Sequence, residues 1–228
     1  FVIGLSKKLI IADRFAPITN YYFGSINDIN FNPGLIDSWI ASLSYTFQLY
    51  FDFSGYMDMA MGIALCFNIV LPLNFYSPYK SHNIVEFWRR WHISLGQFFR
   101  DYIYIPLGGN KNLPIKNLLI TMFLVGLWHG AGWTFIIWGL GHGLALIIDR
   151  KLKRKNNFHN IIITFSIVSL LWVMFRSNNF SDALIFYSNL FNLTGNNFIS
   201  ENLYNDLLYG RIENLVIFGL NFIFENKV

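Results

Sequence analysis

The run of residues 115–148 constrains this chain most. It is almost wholly apolar, and between Thr121 and Gly141 its one ionisable residue is His129. As a single helix, its 34 residues would measure roughly 51 Å at 1.5 Å per residue. A bilayer hydrocarbon core is about 30 Å thick. The first arm, residues 115–128, has only 14 residues and is too short to cross unaided. Two arms folded back at His129-Gly130-Ala131-Gly132 satisfy both limits. Both arms then enter from the side carrying Lys111, Lys116 and the cluster Arg150, Lys151, Lys153, Arg154 and Lys155. The positive-inside rule makes that side cytoplasmic, and His129 lies at membrane depth.

The rest of the chain agrees with a lipid solvent. Of 228 residues, 54% are apolar, 19% aromatic and 13% charged, against about 25% charged in a soluble domain. A mean hydropathy of +0.39 excludes disorder and argues against a soluble enzyme. The expected class is an all-α, polytopic integral membrane protein, with residues 1–228 as a single membrane domain. The net charge of +4 is concentrated beside an apolar run, which suits a membrane face and not nucleic acid. The lone Cys66 excludes an internal disulfide or thiolate zinc site, and its apolar setting predicts a buried, inert thiol. The chain opens at Phe1 already in mid-pattern and without a signal peptide, so it reads as a piece whose N-terminal spans are missing.

Other segments are assigned by pattern. Residues 36–51 and 56–71 read as two helices with a break at Asp52-Phe53-Ser54-Gly55. Residues 72–83 read as a loop. Residues 83–100 have helical spacing but mix Phe87, Trp88, Trp91, Phe98 and Phe99 with Arg89, Arg90, His92 and Arg100, which predicts an interfacial or internally shielded helix. Residues 101–107 form a short aromatic piece ended by Pro106, Gly108 and Gly109. Residues 160–175 predict a span, 181–191 a short amphipathic helix, 192–210 a loop, and 215–224 a truncated apolar segment.

Candidate chemistry centres on the histidines. His82 and His159 read as solvated loop residues, and His142 as a packing histidine between helices. His129 carries two open readings. It is a general base, because desolvation disfavours the charged imidazole, or it is a structural histidine bonded to a carbonyl at a helix break. His92 alone reads as part of an interfacial aromatic-basic helix. Asp52 and Asp58 are expected in a structural role, capping the second helix or pairing with Arg89, Arg90 or Arg100. No metal-ligand spacing and no nucleophile elbow occur, which leaves Ser54 and Ser94 as nucleophiles only in the loosest sense. Gly108-Gly109 is a weak phosphate-loop signal.

Five strings occur in order over residues 4–150: Gly4-Leu5-Ser6-Lys7-Lys8 with Ile11-Ala12-Asp13; Tyr50-Phe51-Asp52-Phe53-Ser54-Gly55-Tyr56-Met57-Asp58-Met59-Ala60; Phe87-Trp88-Arg89-Arg90-Trp91-His92-Ile93-Ser94-Leu95; Arg100-Asp101-Tyr102 to Pro106-Leu107-Gly108-Gly109; and Leu127-Trp128-His129-Gly130-Ala131. Together they resemble the membrane-bound O-acyltransferase family, in its bacterial branch of alginate O-acetylation and D-alanyl-lipoteichoic acid transfer proteins. The resemblance implies helices around a funnel in a multi-pass bacterial cytoplasmic membrane protein. It implies that His129 matches the catalytic histidine and His92 the second histidine of the site. Trp128, Ser94, Asp52, Asp58, Arg89 and Arg90 are then candidates for lining the tunnel. No metal and no bound cofactor are implied. The acyl donor is acetyl-coenzyme A or an acyl carrier protein thioester. Membrane lipids, an extracytoplasmic acetyltransferase or carrier protein, and a polysaccharide acceptor are the expected partners. D-alanyl transfer to teichoic acid and a non-enzymatic acyl conduit are the competing readings.

Overall fold

The computed structural model describes residues 1–152 and 157–195. Among these the chain is helical, with no β-strand. An N-terminal run joins α1 (Val2–Ser6), a π-helical stretch (Lys7–Ala12) and α2 (Asp13–Ser25). Then come α3 (Leu35–Cys66), α4 (Ile84–Arg90), α5 (Ile93–Phe99), α6 (Pro114–His129), α7 (Trp133–Leu152), α8 (Phe158–Arg176) and α9 (Phe180–Asn189). The expected segments at 192–210 and 215–224, and Lys153, Arg154 and Lys155, lie wholly or largely outside the described residues.

The break expected at residues 52–55 is absent. α3 runs 32 residues without interruption, roughly 48 Å at 1.5 Å per residue. Gly55 serves as a contact and not as a hinge: a Cβ there would meet the Gly4 carbonyl oxygen of α1, and one on Gly4 would strike the backbone of α3. The aspartates do pair, with lysines of the N-terminal run and not with the predicted arginines. Lys7 Nζ lies 2.6 Å from Asp58, and Lys8 Nζ lies 2.8 Å from Asp52 and 3.1 Å from Asp13. α3 also stops earlier than residue 71. Asn68 turns left-handed at φ 58°, and the N–H groups of Phe67 and Ile69 return to the Ala64 carbonyl at 3.0 and 2.9 Å, closing the last turn. Cys66 therefore sits at an exposed helix end, against the expectation of burial.

The fold at residues 129–132 is as expected. α6 and α7 form an antiparallel hairpin around Gly130, whose φ 167° and ψ 154° take it out of the helix. The arms touch backbone to backbone. A Cβ on Gly139 would run into the Met122 carbonyl oxygen, and one on Gly126 into that of Phe135. Small residues let membrane helices approach this closely, where apolar side chains gain little by leaving lipid for protein. At the base of the hairpin, Arg150 donates to Tyr104 Oη at 3.1 Å and Asn110 Oδ1 at 3.3 Å. Gly108 and Gly109, at φ 110° and 52°, make the intervening turn. Their N–H groups bond Ile105 and Tyr104 carbonyls within it, which leaves no open nest for a phosphate.

α8 joins the hairpin to α3. Ser42 Oγ of α3 donates to the Ser169 carbonyl at 3.4 Å, and Gly141 of α7 packs on Leu171. Among the described residues, one helix, α8, is long and apolar enough to cross a membrane by length and composition. Outward-facing side chains of the hairpin and α8 are apolar and exposed, among them Leu127, Trp133, Leu144, Ile148 and Ile162. The interior is aromatic: Phe75, Phe87, Trp91, Trp138 and Trp172 are buried together, with Tyr79 Oη tied to the Thr46 carbonyl at 2.8 Å.

Candidate active site

The helix expected over residues 83–100 is interrupted at Trp91 and His92. Asn83 starts α4 by accepting the Glu86 N–H at 2.8 Å, and the Glu86 carboxylate accepts the His82 N–H at 2.7 Å. This reciprocal cap draws His82 into a half-buried contact with Glu86, 3.1 Å from its Nδ1, where a solvated loop histidine was expected. His159 is exposed but belongs to the first turn of α8, not to a loop. α4 ends at Arg90, and His92 precedes α5 with φ 42° and ψ 57°. For a residue with a Cβ this left-handed conformation costs roughly 1–3 kcal/mol and persists only where surroundings impose it.

The break turns the His92 ring toward the hairpin tip. There His92 and His129 line one cavity of about 270 Å³, completed by Leu49 and Phe53 of α3, Trp91, Trp128, and Trp172 and Phe175 of α8. The His129 ring stands edge-on to three aromatic rings: Trp128 at 4.8 Å, Trp138 at 5.1 Å and Phe175 at 5.1 Å. The His92 ring meets Phe53 at 4.9 Å, and its Nδ1 is buried without a hydrogen-bond partner among the described residues. The cavity thus brings two imidazoles together among largely apolar walls.

Of the other residues singled out in the sequence, Trp128 lines this cavity. Asp52 and Asp58 are engaged with Lys8 and Lys7 where the π-helical stretch meets α3. Arg90 pairs with Glu86 and lies over the Tyr76 ring at 5.5 Å. Ser94 bonds Asn74, and Ser54 is buried within α3. Arg89 lines a second, larger cavity of about 400 Å³ near the hairpin base, together with Arg100 and Arg150. His142 is fully buried and accepts from Trp88 Nε1 at 3.3 Å, as expected for a packing histidine. No group of residues that could hold a metal occurs among the described residues.

Sequence reasoning did not single out Leu49, Phe53, Trp91, Trp172 and Phe175 as lining residues. A signal for the last two exists: they sit three apart on α8 and so share a face. Nothing in the sequence says that this face meets His129.

Two half-buried histidines from separate elements, set among aromatic rings at the fold-back of a hairpin with an apolar outer face, define a membrane-embedded helical protein with a polar site between its helices. Residues 1–164 match MBOAT, the membrane-bound O-acyltransferase family, and the chain belongs to it. It is 50% identical over 206 residues to "Peptidoglycan O-acetyltransferase" of Helicobacter pylori, covering 86% of this chain and 38% of that protein. It is 46% identical over 199 residues to "Probable alginate O-acetylase AlgI" of Azotobacter vinelandii, covering 84% and 39%. "Teichoic acid D-alanyltransferase" of Bacillus subtilis is 30% identical over 200 residues, covering 78% and 50%. The chain spans two fifths to one half of the length of these relatives.

Proposed function

We propose that the protein containing this chain is a multi-pass membrane O-acyltransferase that moves an acetyl group to hydroxyls of an exported or cell-wall polysaccharide. The observation that carries this reading is the shared cavity of His92 and His129. His129 is the general base. As the acceptor oxygen attacks the thioester carbonyl, His129 takes the hydroxyl proton, then returns it to the leaving thiolate. His92 faces the same space from the turn before α5 and steadies the oxyanion of the tetrahedral intermediate. The aromatic walls exclude water that would otherwise hydrolyse the thioester.

The donor is acetyl-coenzyme A or an acyl carrier protein thioester, both bearing phosphate. In support, Arg89, Arg100 and Arg150 converge on the larger cavity at the basic end of the hairpin, the side read as cytoplasmic. Acetyl is favoured over D-alanyl because the relatives named for acetyl transfer are 41–50% identical and the D-alanyltransferases 30–37%. An extracytoplasmic acetyltransferase receives or directs the acetyl group on the outer face.

The test is His129→Ala in the full-length protein in its own membrane. General-base catalysis is worth roughly 10²–10⁴-fold, so O-acetate released by alkali from the isolated envelope polysaccharide falls by that factor. Undiminished O-acetylation at normal protein level rejects the proposal. Loss of wall D-alanine in place of acetate selects D-alanyl transfer.

A further inference from the structure

His92 occupies the position before the first turn of α5. The side chain of a residue there ordinarily accepts an N–H from the turn that follows. His92 makes no such bond. The free N–H groups go instead to a residue 18 positions upstream in the chain. Asn74 accepts the Ile93 N–H on its backbone carbonyl at 3.0 Å. Its side-chain Oδ1 accepts the Ser94 N–H at 2.9 Å and the Ser94 hydroxyl at 2.7 Å. These donors fix which end of the amide is oxygen, and the Nδ2 end points to Met57 Sδ of α3 at 3.9 Å. Two residues on, the Tyr76 N–H bonds the Arg90 carbonyl at 2.9 Å. Residues 74–76 therefore run beside 90–94 and hold both sides of the left-handed residue. Asn74 is itself buried, with 5% of its surface exposed, and does not line the histidine cavity.

We propose that Asn74 is a positioning residue for acyl transfer: by capping α5 in place of His92, it leaves the His92 ring free to face His129. A cap supplied by His92 itself would hold the imidazole against the backbone of its own helix. A cap supplied from the 74–76 segment meets the same N–H groups and fixes the backbone angle that aims the ring. The proposal rests on the catalytic reading of His129 and His92 given above.

The experiment uses the full-length protein in its native membrane, with alkali-released acetate from the isolated polysaccharide as readout and rates normalised to protein level. Asn74→Ala removes the side-chain acceptor and lowers transfer about 10²-fold, the scale of a misplaced reacting group. Asn74→Asp keeps an acceptor oxygen and stays within a few-fold of wild type. In a His92→Ala background, Asn74→Ala causes no further loss, because the two residues act as one unit. Asn74→Asp as inactive as Asn74→Ala overturns the proposal, as does a full additional loss in the His92→Ala background. Disappearance of the Asn74→Ala protein from the membrane also overturns it, since that makes Asn74 a folding residue. The Asp-against-Ala comparison decides even if His92→Ala leaves no rate to measure. His129→Ala separates the two levels: if it retains activity the catalytic reading fails, and if it is inactive while Asn74 and His92 losses add, only the positioning role fails.

Discussion

Two glycine-containing polar joints interrupt apolar runs in this chain, and they fold in opposite ways. At residues 52–55 the helix continues straight through. At residues 129–132 it ends and reverses. A single glycine inside a helix costs about 1 kcal/mol relative to alanine, which packing readily outweighs. Gly55 gains the backbone contact with Gly4, and its flanking aspartates gain lysine partners. At the second joint, Gly130 and Gly132 are separated by a single residue, so the backbone penalty doubles within a turn. Both arms beyond it gain more by packing on each other through Gly126 and Gly139 than a single extended helix could. A glycine in an apolar run is thus a hinge or a contact according to what lies across from it.

This contrast can be broken by substitution. The largest effect is expected for Gly139→Val. The Met122 carbonyl it strikes belongs to the backbone and cannot yield, so the hairpin arms part at a cost of about 3 kcal/mol, and transfer falls with the displaced His129. Thermal unfolding in detergent measures this; a wild-type melting temperature would show that the arms do not meet as described. Gly55→Ala follows, at about 1–2 kcal/mol. It displaces α1 from α3, yet α3 stays one helix, which spin-label distances across residues 48 and 60 check. A shortened distance would reinstate the break.

Asp52→Asn is smaller. Lys8 and Asp52 are 38% and 48% exposed, and such pairs contribute about 0.2–1 kcal/mol. A double-mutant cycle with Lys8→Met reads the coupling. The smallest effect lies beside the third break, at His92. Burial alone would raise the Glu86 pKa, but hydrogen bonds from the His82 backbone and ring, and the nearby Arg90 and His82 charges, outweigh it and hold it below the usual glutamate value. A depressed carboxylate contributes stability that is present above its unfolded pKa and lost as pH falls through the lowered folded one. Unfolding midpoints of wild type and Glu86→Gln should therefore differ by a few tenths of a kcal/mol at neutral pH and converge in acid. A constant gap down to low pH would mean that Glu86 acts by packing alone.

Part of the candidate site was legible in the sequence. His129 stood out because an ionisable group in an apolar run has few inexpensive explanations, and the bend beside it followed from helix length against bilayer thickness. His92 entered through resemblance, since on composition it reads as one more member of a basic-aromatic helix. Its break was hidden because the signal lies elsewhere: the cap of α5 comes from Asn74, and no local pattern in residues 83–100 announces it. The same holds for the aspartates. That they pair was legible from the cost of burying charge. Which cations they meet was not, because Lys7 and Lys8 are more than 40 residues away in the chain.

The sequence by itself determined the solvent, the helical class, the hairpin and the one histidine that had to be explained. These follow from hydrophobic run lengths and from residue chemistry, which are local quantities. Tertiary structure alone decided that His92 and His129 share a cavity, that α8 supplies its far wall through Trp172 and Phe175, and that Asn74, outside it, accepts the N–H groups that open α5. Those outcomes depend on which helix faces meet, and that is settled by backbone approach at small residues and by hydrogen-bond donors that must find acceptors somewhere, near or far in the chain.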